Sequence, residues 1–225
     1  MKKTANKDIK EIVIIGASGF GREIAWLIER INKVRLTWDL LGFLDDNHNL
    51  VGNKSYNYEI LGTTEWLKSA NRVYVVCAIG ASKIRRQVIN RIDSYGIINY
   101  ATLVDPSVIM SDSNLIGKGS IICANSVITV NTNIGNHVII NLSCTIGHES
   151  IVGDFVTLYP NVNVSGNCNI HNGVELGTGT KIIQSIVIGQ QSVVGAGAVV
   201  VSDIPEGCTA VGVPAKPTKF HEILI

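Results

Sequence analysis

A histidine and a glutamate stand side by side at His148 and Glu149, within a long run of small and aliphatic residues. An imidazole ordinarily titrates near pH 6.5, and a carboxylate beside it fixes the tautomer and favours the imidazolium that forms on proton uptake. Such a pair could act as a general base. The simpler interpretation is a pair of side chains on a solvated loop, and the periodicity of the surrounding chain bears on the choice.

A glycine-rich turn follows the first apolar segment. The segment EIVIIGASGFGREIAWLIERI predicts a buried strand, a tight turn and a helix whose apolar face is formed by Ile24, Leu27, Ile28 and Ile31. Gly16, Gly19 and Gly21 allow the turn to present backbone N–H groups to an anion such as a phosphate. The same turn contains Ser18 and Phe20.

Two later strands end in polar or small residues. The segment LLGFLDD ends in Asp45 and Asp46, roughly where an α/β nucleotide fold places a carboxylate against the ribose or base. The segment RVYVVCAIG ends at Gly80, and a helix is predicted from Ser82 to Gly96.

The glycine spacing is GxxGxG, whereas dinucleotide folds carry GxGxxG, so hydride chemistry is weakly supported. A site for a mononucleotide or a nucleotide sugar is the better functional interpretation. The alternative is a glycine turn that serves only the packing of the strand against the helix.

An aliphatic residue recurs at every sixth position from Val104 to Val200, and all 17 of these positions conform. Neither an α-helix nor an alternating strand has a period of six. Such a repeat predicts a parallel β-helix, in which stacked turns share one continuous core. The pattern resembles the left-handed β-helix of the hexapeptide acyltransferases, whose triangular coils each contain three hexads.

Counting by three hexads places His148 on a different part of the triangle from His137 and His171, which we expect on the surface of the repeat. Three histidines of one chain therefore do not easily converge on a metal, as they do in the zinc carbonic anhydrases that share this fold, although a subunit interface could gather them. Cys144 and Cys168 occupy the small fifth position of their hexads and are predicted to fill the core, which argues against a nucleophilic cysteine.

Composition narrows the function classes. With 19 Lys and Arg against 18 Asp and Glu, the chain has no charge excess to recruit nucleic acid or anionic lipid. The first apolar stretch, Ile12 to Ile15, is too short for a secretion signal or a membrane span, which predicts a cytoplasmic protein. Five scattered cysteines indicate neither a disulfide framework nor a zinc site.

Nearly the whole chain resembles one family, the bacterial sugar acyltransferases that join a small nucleotide-binding domain to a left-handed β-helix. The segments that carry the resemblance are IIGASGFGRE, GFLDD, CAIG, NLSCTIGHE, GDFVTLYPNVNVSGN and GAGAVVVSDIPEG with VGVPAK. It implies an α/β Rossmann-like domain over residues 1–100 and an all-β left-handed parallel β-helix over residues 101–225.

The resemblance also implies roles for individual residues. His148 becomes the general base, Glu149 its orienting carboxylate, and Asn141 a neighbouring polar residue of the active site. Gly166, one coil after His148, matches a position whose backbone N–H points towards the thioester oxygen of acetyl-CoA.

The same resemblance assigns the two substrates. Acetyl-CoA would lie along the outside of the β-helix between adjacent subunits of a homotrimer, near Gly195, Ala196, Ala198 and the Lys216 of VGVPAK. The nucleotide sugar would be held by the Gly16 to Gly21 turn, by Asp45 and Asp46, and near Gly80. No metal is expected.

The expected function is acetyl-CoA-dependent N-acetylation of a nucleotide-linked 4-amino-4,6-dideoxy sugar in surface glycan biosynthesis. Some family members have histidines where this chain has Phe20 and Thr157, which leaves the acceptor and the nucleotide open. The alternatives are an O-acetyltransferase for sialic acid or a related sugar, a non-catalytic protein that binds sugar nucleotides, and a metal-dependent hydratase.

Overall fold

The computed structural model describes residues 9–70 and 72–223, which form two compact units. Of the described residues, the first unit contains 9–70 and 72–79 together with Val88–Ala101. The second contains Gly80–Gln87 and residues 102–223. The predicted boundary at residue 100 is close to this division, but the structure groups the start of the second helix with the repeat.

The first unit is built on a six-stranded sheet with one helix after its first strand. The strands lie in the order β3-β4-β2-β1-β5-β6, and all neighbours are parallel except β3 and β4. Their bounds are β1 Lys10–Ile15, β2 Trp38–Leu44, β3 Lys54–Ser55, β4 Tyr58–Gly62, β5 Tyr74–Cys77 and β6 Asn99–Tyr100. Because β1 lies between β2 and β5, the turn after β1 stands where the strand order reverses, the usual ligand position of open α/β sheets.

Two α-helices and two short 3₁₀ helices, His48–Leu50 and Thr64–Lys68, complete the non-strand elements of the described residues. Helix α1 spans Gly19–Val34 and buries Ile24, Leu27 and Ile28 as predicted, whereas Ile31 is only half-buried. Helix α2 spans Ser82–Asp93, ends earlier than expected, and continues in tight turns to Gly96, whose φ is +132°. No helix in the described ranges is both long and apolar enough to span a membrane.

The second unit stacks short parallel strands into three sheets, as the hexapeptide repeat predicted. The strands are β7 Leu103–Val104, β8 Ile109–Met110, β9 Leu115–Ile116, β10 Ile121–Ile122, β11 Val127–Ile128, β12 Asn133–Ile134, β13 Ile139–Ile140, β14 Thr145–Ile146, β15 Ile151–Val152, β16 Thr157–Leu158, β17 Asn163–Val164, β18 Asn169–Ile170, β19 Glu175–Leu176, β20 Lys181–Ile182, β21 Val187–Ile188, β22 Val193–Val194, β23 Val199–Val200, β24 Cys208–Val211 and β25 Lys216–Phe220. From β7 to β20 each strand pairs with the strand three hexads later, as Ile121 does with Ile139, so one coil contributes one strand to each sheet, and the last pair of strands, β24 and β25, is antiparallel.

The aliphatic residue of each hexad points into the core of the coil. From Ile122 to Val200 each of these side chains is at most 2% exposed. Val104, Met110 and Ile116 are only partly buried, because the first coil has no preceding coil to cover it. The period of six therefore reflects the burial of one side chain per strand.

The corners of the triangle depend on left-handed backbone. Every sixth residue from Gly119 to Gly197 has a positive φ, and most of these residues are glycine, asparagine or serine. Of these types, glycine and asparagine tolerate the conformation best. Glu149 (φ 56°) and Phe155 (φ 59°) do not belong to that group.

Candidate active site

The His148–Glu149 pair lies at the turn between β14 and β15. His148 Nδ1 and Glu149 Oε2 are 2.5 Å apart, and the two side chains are 61% and 57% exposed. An ionised carboxylate can only accept, so Nδ1 carries the proton in the neutral ring and Nε2 presents its lone pair. The pair thus holds an imidazole in the tautomer that can remove a proton from a ligand.

Glu149 occupies a strained backbone position to make this contact. It has φ 56°, and the residues at the same corner in the neighbouring coils are Asn131 and Asn167, also with positive φ. A glutamate in this region costs about 1 kcal/mol relative to residues that adopt it readily. Position 149 thus allows the carboxylate to contact His148 but places a glutamate in left-handed backbone, and such strain is common at functional sites.

Gly166 provides the room for the imidazole. A Cβ atom on Gly166 would lie 2.5 Å from both Cε1 and Nε2 of His148. Gly147 is required in the same way, since its Cβ would lie 2.5 Å from the amide nitrogen of Gly166. The coil that follows His148 therefore carries glycine because the ring stands directly against its backbone.

The amide of Gly166 has no hydrogen-bond acceptor in the part of the chain that the structure describes, and the residue is buried against the His148 ring. At another corner, the amides of Lys118, Asn136 and Asp154 each donate to a side-chain oxygen one coil later. Among the residues that the structure describes, neither the His148 amide nor the Gly166 amide has such an acceptor. A donor of this kind beside a base can stabilise an oxyanion.

Asn141 lies one corner earlier on the same coil, after β13, and strand β14 separates it from His148. Its Oδ1 accepts the amide of Leu142 at 2.7 Å. The structure thus places Asn141 and His148 at opposite ends of one β-helix face. One chain does not bring their side chains together.

Tyr159 and Glu175 were not singled out from the sequence. Tyr159 lies one coil above Asn141 and donates from Oη to Glu175 Oε2 at 3.1 Å, while Glu175 Oε1 accepts the amide of Ser82 at 2.8 Å. Burial, followed by the negative charge of Glu175, raises the pKa of Tyr159 to about 12. The stacking interval of one coil could have identified Tyr159 as a neighbour of Asn141.

The glycine turn of the first unit is explained in part by packing. Gly16 has φ +99°, and a Cβ on Gly21 would lie 1.9 Å from the carbonyl oxygen of Gly16. Gly19 has no such constraint, because its Cβ would meet no atom closer than 3.9 Å. Ser18 and Gly19 are exposed and Phe20 is half-buried, so the tip of the turn is accessible.

The two aspartates after β2 have different surroundings. Asp45 accepts the amide of Ala17 at 3.0 Å and so holds the glycine turn in place. Asp46 accepts the amide and hydroxyl of Thr64 at 3.0 and 2.9 Å and contacts Arg91. Burial alone would raise the pKa of Asp46, but these hydrogen bonds and the Arg91 charge outweigh it and lower the pKa.

Gly80 belongs to the second unit. Its carbonyl accepts the Thr157 hydroxyl at 2.7 Å and Nη1 of Arg85 at 2.8 Å. Sequence reasoning missed Arg85, because an arginine in an amphipathic helix gives no sign that it will be buried.

The positions expected to hold acetyl-CoA differ in accessibility. Ala196 and Lys216 are exposed and Gly195 is half-buried. Ala198 is 1% exposed, and its backbone N–H and C=O bond to Gly195 and Lys181. The methyl group of Ala198 is thus buried, and its backbone N–H and C=O are both hydrogen-bonded within the coil.

The histidines of the repeat do not gather. His171 is exposed as expected, but the expectation that His137 lies on the surface is wrong, since it is 4% exposed. Its ring stacks on Phe155 with 5.2 Å between centroids, and Arg85 binds its carbonyl. Within residues 9–70 and 72–223, no group of three or more His, Cys, Asp or Glu is placed to hold a metal ion.

Cys144 and Cys168 fill the core as predicted, with exposures of 0% and 1%. The Cys144 thiol lies 3.2 Å from the carbonyl oxygen of Tyr159. Burial raises its pKa to about 11. A thiol in this environment is a poor nucleophile.

Comparison with known proteins places these features in context. The model of the PglD N-terminal domain family matches residues 11–92. GDP-perosamine N-acetyltransferase of Escherichia coli O157:H7 is 32% identical over 201 residues, which cover 88% of this chain and 81% of that protein.

Two solved structures share the fold over most of their length. The acetyltransferase domain of PglB from Neisseria gonorrhoeae FA1090, in complex with acetyl coenzyme A, has a TM-score of 0.83 and 32% identity, covering 93% of this chain and 99% of that one. PerB from Caulobacter crescentus, in complex with CoA and GDP-perosamine, has a TM-score of 0.82 and 26% identity, covering 93% and 97%.

Proposed function

The chain belongs to the bacterial sugar acyltransferase family, and from that premise we propose that it transfers the acetyl group of acetyl-CoA to the amine of a nucleotide-linked 4-amino-4,6-dideoxy sugar. Its relatives include a GDP-perosamine N-acetyltransferase, which favours a GDP-linked acceptor among the nucleotide sugars. The nucleotide part would be bound by the accessible tip of the Gly16–Gly21 turn.

One observation carries the proposal: His148, in the tautomer set by Glu149 at 2.5 Å, stands against Gly166, whose amide has no acceptor among the described residues. A proton acceptor and an oxyanion donor thus lie side by side, at one corner of adjacent coils. This is the minimum that aminolysis of a thioester requires.

His148, Glu149 and Gly166 each have a separate role in the proposed reaction. Nε2 of His148 removes a proton from the acceptor amine as its nitrogen attacks the thioester carbonyl. Glu149 stabilises the resulting imidazolium, and the Gly166 amide stabilises the oxyanion of the tetrahedral intermediate. Collapse of the intermediate expels CoA thiolate, which takes up a proton. Transfer is direct, because the thiols of Cys144 and Cys168 are buried and burial raises the pKa of each.

The proposal extends to the architecture. It includes a Rossmann-like first unit, supported by the parallel sheet with β1 between β2 and β5, and a left-handed coil in the second unit. It also includes a homotrimer, supported by the separation of Asn141 from His148 on the triangle, since a second copy could supply the missing group to each site.

Thiol release from acetyl-CoA tests the function, with GDP-, UDP- and dTDP-linked 4-amino-4,6-dideoxy sugars and free sialic acid as acceptors. We expect release with one nucleotide amino sugar and a loss on the order of 100-fold or more in His148→Ala. His171→Ala, which removes an exposed histidine of the same unit, is the control and should retain activity.

Release with sialic acid alone would move the assignment to O-acetylation. Near-wild-type turnover by His148→Ala would refute the role of the histidine. Release with no acceptor, together with failure to bind acetyl-CoA, would indicate a binding protein.

A further inference from the structure

Arg85 is the largest fully buried side chain of the described residues and is 1% exposed. It lies in the first turns of α2, in the part of the helix that groups with the repeat. A buried guanidinium is costly unless its donors are satisfied, so its contacts indicate what it is there to hold.

The contacts of Arg85 are mainly to backbone carbonyls. Its bonds run from Nε to the His137 carbonyl (3.0 Å), from Nη1 to the Gly80 carbonyl (2.8 Å), and from Nη2 to the carbonyls of Phe155 (2.7 Å) and Val156 (3.3 Å) and to the Thr157 hydroxyl (2.9 Å). The planar guanidinium offers five donors in fixed directions, which a lysine ammonium does not.

Apart from Gly80, the residues that accept these bonds belong to two consecutive coils. His137 and Phe155 are one coil apart, occupy the same left-handed corner position (φ 54° and 59°), and stack their rings. Arg85 therefore ties the segment at Gly80 to both coils at once.

The segment from Gly80 to Ser82 is fixed by two further bonds. The Thr157 hydroxyl donates to the Gly80 carbonyl at 2.7 Å, and the Ser82 amide donates to Glu175 at 2.8 Å. Gly80 is one of the positions expected to contact the nucleotide sugar, so the geometry of this segment bears on substrate affinity.

We propose that Arg85 is a positioning residue for the nucleotide sugar: by holding Gly80 against two β-helix coils, it sets the affinity for that substrate without touching it. The inference rests on the proposed function. Binding is improved when a contact segment is already fixed in its bound conformation.

Steady-state kinetics with GDP-linked 4-amino-4,6-dideoxy sugar and acetyl-CoA tests this. Arg85→Lys keeps the charge and loses the fork of donors, and we expect its KM for the nucleotide sugar to rise about tenfold. Its kcat and its KM for acetyl-CoA should stay within about twofold of the wild type. Arg85→Met should show a larger rise in the same KM.

Two further variants distinguish a positioning role of Arg85 from a purely structural one. Thr157→Val removes one donor to Gly80 and should raise the same KM a few-fold, even if Arg85→Met does not fold. Lys83→Met removes an exposed cation from the same helix and should change nothing. Equal changes in both KM values, or a lowered Tm with unchanged KM, would overturn the proposal and leave Arg85 a purely structural residue.

A failure of the proposed function can be recognised separately. If the wild type releases no thiol with any acceptor and does not bind acetyl-CoA, acetyl transfer is refuted, and the Arg85 proposal is judged on the Kd of GDP, UDP and dTDP measured by calorimetry. About tenfold weaker binding by Arg85→Lys would support it. An unchanged Kd, or no nucleotide binding by the wild type, would overturn it.

Discussion

At the scale of residues, the site is a compromise between backbone preference and chemistry. Glu149 holds the imidazole of His148 through a 2.5 Å contact while its own backbone is left-handed. The neighbouring coils place asparagine at this corner. Stability and activity therefore favour different residues at position 149.

Glu149→Asn should make the protein more stable and less active. The substitution relieves backbone strain of about 0.5 to 1 kcal/mol, so Tm should rise. It also removes the carboxylate that sets the histidine tautomer, so kcat should fall on the order of tenfold or more. Ser185→Asn, at the same corner two coils later, is the matched control and should leave kcat unchanged. A variant with lower Tm and full activity would contradict this account.

Sequence reasoning predicted His148, Glu149 and Gly166 as neighbours, because a coil of three hexads converts sequence distance into spatial distance. It could not predict the burial of His137 or Arg85. Those depend on which helix segment packs on which corner, and the repeat period contains no information about that packing.

At the scale of elements, the strands depend on small side chains between the aliphatic ones. Cys144 occupies such a position, where Ser126 stands one coil earlier and Ser150 in the next hexad, and all three are fully buried. The buried thiol is the one member of this trio that titrates within reach of ordinary experiments.

Alkaline pH should destabilise the coil through Cys144. Burial raises its pKa from 9.0 to about 11, so the folded state keeps a proton that the unfolded state loses. The stabilisation is fully present below pH 9 and is lost as the pH rises towards 11, by roughly 2 to 3 kcal/mol in all. Thermal unfolding between pH 8 and 11 measures it. Cys144→Ser should lose less stability over this range, and an identical pH dependence would show that the thiol is not responsible.

The hexad rule fixed the strand positions from Val104 to Val200 with no slip, because each coil buries one aliphatic residue per strand. Helix ends were less predictable. Helix α2 ends at Asp93 and not near Gly96, because the next three residues bond to carbonyls three positions back, not four. The sequence does not distinguish such tight turns from a further turn of α-helix.

At the scale of the whole molecule, the triangle separates groups that the reaction is expected to use together. Asn141 and His148 lie at two corners joined by β14. If copies of the chain assemble with these corners facing each other, each site draws its residues from two chains.

Mixed assemblies should reveal such sharing. His148→Ala and Asn141→Ala, each impaired alone, are unfolded together in equal amounts, refolded and assayed. With random assortment, sites between two chains should recover about a quarter of the wild-type activity, since one site in four receives both intact residues. Mixing the folded variants without exchange is the control, and absence of recovery after exchange would show that each site lies within one chain.

The pairing of each strand with its counterpart one coil later also governs which length changes this protein can survive. A gain or loss of one full coil in the repeat would keep every residue on its own corner, whereas a single hexad would preserve the core but turn everything beyond by a third of the triangle. A change of one hexad between His148 and Gly166 would thus leave a well-packed coil in which the proposed base no longer faces the proposed oxyanion donor. For this molecule, length is constrained in units of one hexad by folding and in units of three by function.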